Sequence, residues 1–271
     1  MDWAWDPSLY EGSAPHYAVG RMAYPAALAD TLRDALGLDG SGRLLDVGCG
    51  PGSLTLLLAP LVASAVGVDA DPGMIAEAHR SGAAGIDWRQ LRAEELPADL
   101  GTFRLVTFAQ SFHWMDQPQV ARAVRPMIEP DGAWVHVFAT THRGAGGDDV
   151  LPHPRPPWDA IDALVAGYLG EVRRAGQGSL PTGTRGGEED VMRDVGYRGP
   201  ERLEVVRGDV VERSTEQVVS AVYSLSSSAP HLFGSRLQEF DDDLRRLLRS
   251  ASPDGTFAER ARDVGVVIWR P

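Results

Sequence analysis

The 271-residue chain predicts an α/β fold built on a doubly wound parallel sheet. Three observations carry that expectation. Leu44 to Val47 is a short apolar run that ends in glycines, as a buried parallel strand does, and it turns at once into the apolar helix Ser53 to Leu61. A second run, Ala65-Val66-Gly67-Val68-Asp69, delivers a carboxylate roughly 20 residues later, the spacing at which a βαβ unit sets an acid beside a ribose. Beyond it, strand-like and helix-like segments alternate, which implies parallel pairing with crossover helices.

The elements follow in order. Residues 1–40 form a lead-in before the first strand, where Tyr17 and Arg21 would share one face of a helix. Gly48, Gly50 and Gly52 allow a tight turn and close approach of a ligand to the backbone. Pro72 suits the first turn of the next helix. Ile86 to Arg89 reads as a weak third strand, Arg104 to Ala109 as the fourth and Gln119 to Arg125 as a helix. Ala133 to Ala139 is the fifth strand, entered through a Pro130-Asp131-Gly132 turn.

Composition shifts at Thr140. Up to Gly187 the chain is rich in Gly and Pro, with one amphipathic helix expected over Trp158 to Arg174, and such an insertion suits a lid. Glu201 to Val211 reads as a strand. Ser214-x-x-Gln217 and Ser235-x-x-Gln238 read as capping boxes that open two helices. In the second, Leu237, Phe240, Leu244, Leu247 and Leu248 mark a buried face. Asp241 to Asp243 and Glu188 to Asp190 read as solvated helix starts. Val264 to Trp269 is the last strand. The division is a lead-in (1–40), a core (41–139), an insertion or lid (140–187) and a C-terminal part of the core (188–271).

Composition limits the function classes. Hydrophobic residues make up 43% of the chain, enough for a substantial core, and no apolar stretch approaches a membrane span. The N-terminus lacks the pattern of a signal peptide, and a single cysteine, Cys49, forms no intramolecular disulfide, so a cytoplasmic location is expected. Cys49 sits within the glycine loop and reads as packing. All 26 basic residues are arginine and asparagine is absent, which removes Schiff-base and P-loop lysines and N-glycosylation sites. A net charge of −12 with dispersed arginines argues against a nucleic-acid partner.

The glycine loop admits two ligands. A dinucleotide pyrophosphate favours Gly-x-Gly-x-x-Gly at a helix N-terminus. Here the loop reads Asp46-x-Gly48-x-Gly50-x-Gly52, and a carboxylate at its entrance suits a ligand bearing an ammonium and a sulfonium. Leu45 to Gly52, Val66 to Ala78, Arg92-Ala-Glu-Glu-Leu-Pro97 and Phe103 to Trp114 together resemble, in order, the motifs of the class I S-adenosylmethionine-dependent methyltransferases. Tyr10-x-x-x-x-Pro15-x-Tyr17-x-x-x-Arg21-x-x-Tyr24-Pro25 likewise resembles the lead-in of many small-molecule members, which lies over the cofactor.

The resemblance implies a seven-stranded, mostly parallel Rossmann-like sheet whose last strand inserts antiparallel beside the fifth. It also implies S-adenosyl-L-methionine as cofactor. Backbone at Gly48 and Gly50 would then contact its methionine part, with Asp46 acting near the ammonium through water or by ordering the loop. Arg21 would meet its carboxylate, the alternative being a salt bridge on the surface of a helix. Asp69 would accept both ribose hydroxyls. Ala70 and Met74 would flank the adenine. Arg92 stands where the family often has an acid, so adenine recognition falls to Ala93 backbone or Glu94. Ala109, Gln110 and Ser111 end the fourth strand at the ligand edge.

His113 is the candidate general base, with packing as its alternative role, and Trp114 a wall beside it. Tyr10, His142 and Trp158 are candidate acceptor contacts, with Trp3 and Trp5 as further lid aromatics. No Cys cluster or helix-spaced His pair suggests a metal. The expected function is methyl transfer to an O, N or C atom of a small-molecule acceptor. A catalytically silent cofactor-binding protein, or a cyclase or decarboxylase using the same pocket, are the alternatives. A homodimer is left open.

Overall fold

A computed structural model describes residues 6–175, 178–179 and 186–271. In chain order the strands are β1 (Arg43–Val47), β2 (Ser64–Asp69), β3 (Ile86–Gln90), β4 (Phe103–Ala109), β5 (Ile128–Phe138), β6 (Arg174–Ala175), β7 (Gly178–Ser179), β8 (Arg198–Val205), β9 (Val210–Ser214), β10 (Thr256–Arg260) and β11 (Val264–Arg270). Seven of them form one sheet in the order β3-β2-β1-β4-β5-β11-β8. The first five pair in parallel, while β11 runs antiparallel to both β5 and β8. The expected doubly wound sheet, with its reversed last strand, is therefore the architecture of the chain.

The helices are α1 (Ala14–Gly20), α2 (Ala26–Leu36), α3 (Ser53–Leu58), α4 (Pro72–Arg80), α5 (Gln117–Val124), α6 (Trp158–Leu169), α7 (Glu188–Val195), α8 (Thr215–Tyr223) and α9 (Leu237–Ala251). Both faces of a parallel sheet must be covered, which explains the largely apolar runs in β1, β2 and β4, where the buried polar pair Asp46 and Thr107 satisfies itself by a hydrogen bond. Leu28, Leu32 and Leu36 of α2 pack with Leu44, Leu58, Leu105 and Val135 in one cluster. Val120 and Val124 of α5 pack with Phe103, Phe108, Trp134 and Trp269 in another. A third cluster joins α6, α8, α9 and β10 through Val165, Val222, Phe240, Leu244 and Phe257.

The lead-in is fastened to this third unit. A Cβ on Gly20 would sit 2.3 Å from the Ala221 backbone nitrogen, so only glycine lets the end of α1 touch α8. The Ser13 hydroxyl donates to the Tyr223 carbonyl at 2.8 Å.

Several expectations need correction. Pro130-Asp131-Gly132 is no turn. It lies within β5, where the pairing slips from Phe103–Ile128 to Leu105–Ala133, a bulge that absorbs the extra residues. The single strand expected over Glu201 to Val211 is two, β8 and β9, and β9 leaves the main sheet to pair with β10. Thr256–Arg260 was not foreseen as a strand at all. Helix α6 stops at Leu169 because Gly170 adopts φ 84°. Ser214 and Gln217 do form a capping box, whereas Ser235 lies in a 3-10 turn and caps nothing. Asp241 and Asp243 sit inside α9, accepting from the Tyr223 and Tyr168 hydroxyls, so they are not a helix start.

Candidate functional site

The site grows from the carboxyl ends of β1, β2 and β4. After Val47 the chain turns at Gly48, whose φ is 68° and whose absent Cβ would lie 2.5 Å from that of Ser111. The Ser111 hydroxyl donates to the Val47 carbonyl at 2.6 Å, stitching the end of β4 to the loop. Asp69 ends β2. One of its oxygens accepts from the Gly50 N–H at 2.8 Å and the other from the Asp71 N–H at 2.9 Å. Burial pushes its carboxyl up to about 6, against the opposing pull of those two backbone donors.

Above this floor lies a partly open cavity. Gly48, Gly50, Asp69, Ala70 and Met74 line one side of it, and Ala93, Glu94, Ala109, Gln110 and Ser111 the other. Tyr10, Tyr17 and Trp114 close it from above. Tyr10 meets Tyr17 and Trp114 edge-on, at centroid distances of 6.5 Å and 5.7 Å, so the roof is one aromatic cluster. Glu94 is tethered by accepting from the Asp116 N–H at 2.9 Å. Gln110 takes the left-handed φ of 54° and donates to the Ala139 carbonyl at 3.3 Å.

A second, smaller cavity shares Tyr17, Gly48, Gly50 and Ala109 with the first and adds Arg21, Tyr24, Ser53 and Thr141. The Arg21 guanidinium stacks 4.4 Å from the Tyr17 ring centroid and donates to the Ser224 hydroxyl and carbonyl at 2.8 and 3.0 Å. Among the described residues no carboxylate lies within 4.0 Å of it. The surface salt bridge weighed as an alternative for Arg21 is thus not formed.

Four candidates lie elsewhere. Asp46 is buried beneath the loop, where its two oxygens accept from the Thr55 and Thr107 hydroxyls at 2.6 and 2.7 Å. Burial raises its carboxyl pKa, and the two hydroxyls oppose that shift. It can order the loop but does not face either cavity. His113 sits in the 3-10 turn Phe112–Trp114, which presents Trp114 to the cavity and packs His113 outside its lining. Burial lowers its imidazole to about 4. His142 packs edge-on to Trp158, and the Trp158 indole donates to Glu259 at 2.7 Å. Neither residue lines these cavities. Trp3 and Trp5 fall outside the described residues.

Sequence reasoning missed Leu9, Leu91 and Met115 in the main cavity and Ser53 and Thr141 in the smaller one. Leu91 and Met115 adjoin motifs already singled out, so their position was the available signal. Thr141 carries none, because it reaches the site only through the chain's exit from β5.

The comparisons agree with this geometry. Residues 44–132 match the family model described as a methyltransferase domain. An uncharacterised methyltransferase of Mycobacterium tuberculosis is 36% identical over 126 residues, covering 45% of this chain and 50% of that protein. The malonyl-[acyl-carrier protein] O-methyltransferase of Enterobacter lignolyticus is 32% identical over 151 residues, covering 55% and 57%. The chain thus spans about half the length of the curated relatives it matches. A candidate type II methyltransferase from Anaeromyxobacter dehalogenans shares the fold with a TM-score of 0.51 at 19% identity, covering 92% of this chain and 96% of that one. The [4+2]-cyclase SpnF shares it equally, at 0.51 and 17% identity, covering 97% and 94%. Residues 44–132 are thus similar to a methyltransferase domain, and the matched stretch holds the glycine loop, Asp69 and the end of β4.

Proposed function

We propose that the protein transfers a methyl group from S-adenosylmethionine to an O, N or C atom of a small-molecule acceptor. The observation that carries this reading is the pair of joined cavities, with Asp69 in one and Arg21, free of any carboxylate among the described residues, in the other. A nucleoside with an amino-acid tail fits that pair. Asp69 offers the sugar its remaining lone pairs, Ala70, Met74, Ala93 and Glu94 frame the base, and Arg21 takes the tail carboxylate. The glycine loop supplies room for the ammonium, and Asp46 holds that loop from below.

When bound, the sulfonium supplies an already activated methyl group, so the protein's work is alignment in a dry space. Tyr10, Tyr17 and Trp114 exclude water from above. Gln110 and Ser111 bound the side on which an acceptor would enter. A catalytic role for His113 finds no support in its position, and its lowered pKa makes it a weak base. This favours acceptors that need no deprotonation by an imidazole. It also keeps a second reading in play, a cyclisation or decarboxylation in the same pocket, which product mass separates from methylation.

A small acceptor is supported by the net charge of −12, which suits no polynucleotide. Among the described residues no helix is long and apolar enough to cross a membrane. The division into lead-in, core, insertion and C-terminal part at 40/41, 139/140 and 187/188 belongs to the same reading. Calorimetry tests it: S-adenosylmethionine should bind with a Kd in the micromolar range, about −8 kcal/mol, and Asp69→Ala should remove most of that affinity. Undetectable binding by the unaltered protein overturns it.

A further inference from the structure

A wider cleft opens beside the cofactor cavity, over the ends of β5 and β8 and the start of β11. Gln110 lines both spaces, so the cleft begins where the cavity stops. Its wall includes Phe138, Thr140 and three arginines, Arg207, Arg260 and Arg262. Phe138 is 42% exposed and, with Ala139, Ala145 and Ala261, gives the cleft an apolar flank.

The arginines are not equivalent. Arg207 is neutralised by Asp209 through contacts of 3.0 and 2.6 Å, and Arg260 by Asp149 at 2.9 and 2.7 Å. Arg262 donates through Nε to the Gly144 carbonyl at 2.9 Å, and among the described residues no carboxylate lies within 4.0 Å of it. Its two terminal nitrogens are the fork that fits a carboxylate. One carboxylate, Asp263, also lines the cleft, but it is engaged by the Arg207 N–H at 2.6 Å. This cation stands unmatched in a chain with 38 acidic and 26 basic side chains, where a neutralising partner is easily found.

Resting on the methyl-transfer reading, we propose that the cleft holds the acceptor, and that the acceptor is a carboxylate whose anionic end pairs with Arg262 while its apolar body lies on Phe138 toward Gln110. The anion sits away from the sulfonium, so Arg262 selects and orients without touching the reacting atoms. It is a specificity residue rather than a catalytic one.

The test uses the full chain saturated with S-adenosylhomocysteine and three matched probe pairs: 4-hydroxybenzoate and its amide, cinnamate and its amide, octanoate and its amide. Binding is read by ligand-observed NMR, with calorimetry of S-adenosylhomocysteine on the same samples. At least one acid should bind about tenfold or more tighter than its amide. Arg262→Gln should abolish that preference and Arg262→Lys should keep part of it, both with unchanged S-adenosylhomocysteine affinity. Arg122→Gln, on a remote surface, should change nothing. The proposal is overturned if no acid binds, if acids and amides bind alike, or if Arg262→Gln keeps the preference. Loss of S-adenosylhomocysteine binding by the unaltered protein instead overturns the cofactor reading on which it rests.

Discussion

The Asp69 carboxylate accepts a hydrogen bond from the Gly50 N–H at 2.8 Å, tying the acid of the second strand to the glycine loop of the first. The two signals that stand apart in sequence are one object in space. The geometry of the loop and the ribose contact proposed for Asp69 are therefore coupled.

That coupling sets Asp69 against the stability of the fold. Its carboxyl titrates near 6, above the ordinary 3.8, so ionisation costs the folded state. The stability that its neutral form contributes is complete below the unfolded value and lost as pH rises through 6. Asp69→Asn should abolish the loss of stability, up to about 3 kcal/mol, that the unaltered protein shows as pH rises from 4 to 8, over and above a pH-independent cost from the amide facing one of the two backbone N–H donors. Thermal unfolding across pH 4–8 checks this.

Cofactor affinity should move the opposite way. Below pH 6 the free protein holds Asp69 neutral, and a ligand that needs the carboxylate must displace a proton. Calorimetric affinity for S-adenosylhomocysteine should fall by up to about tenfold per pH unit below that point. In Asp69→Asn the affinity should be weak at every pH and the slope absent.

Arg21 is predicted to read the amino-acid tail alone. Arg21→Gln should weaken S-adenosylhomocysteine at least about tenfold, the loss of one charge-assisted contact. Binding of 5′-methylthioadenosine, which lacks the tail, should be unchanged. Equal losses for both ligands would mean that the side chain only supports the roof.

His113→Phe should leave turnover within about tenfold of the unaltered protein, whereas removal of a general base costs roughly 10² to 10⁴. Steady-state kinetics with the first acceptor identified will decide it.

Arg213 and Glu259 form an ion pair at 2.8 Å with side chains only 3% and 2% exposed. Arg213 also donates to the carbonyls of Gly20, His142 and Gln217, and Glu259 accepts from the Gly144 N–H and the Trp158 indole. Glu259→Leu should therefore cost about 3–5 kcal/mol in urea unfolding, because a guanidinium is left buried without its counter-charge.

What was legible in the sequence tracks the physics of each element. β1 and β2 are buried on both faces, so their apolar runs and terminal glycines are visible without tertiary information. β10 was invisible because Thr256–Arg260 is short and mixed in polarity, and the partners that bury Glu259, namely Arg213, Gly144 and Trp158, lie 46 to 115 residues away in sequence. His113 lies outside the cavity lining for a geometric reason: side chains of neighbouring residues in a 3-10 turn point about 120° apart, so a residue adjacent to Trp114 need not share its cavity. Arg21 was singled out by its resemblance to a lead-in motif, but its place in the smaller cavity with no carboxylate within 4.0 Å among the described residues is a fact of the folded chain. Arg262 gave no signal, since only the reversal of β11 brings it to the ligand edge.

The contact of Gly20 with the backbone of Ser220 and Ala221 has a consequence for assembly. The floor of the cavity comes from residues before 112, yet its ceiling hangs from a helix that lies a hundred residues further along. A growing polypeptide would own the lower half of its pocket well before it could shut the upper half. Tight capture of the proposed nucleoside would thus need α8 in place, and a fragment ending at residue 139 should hold the same molecule only loosely.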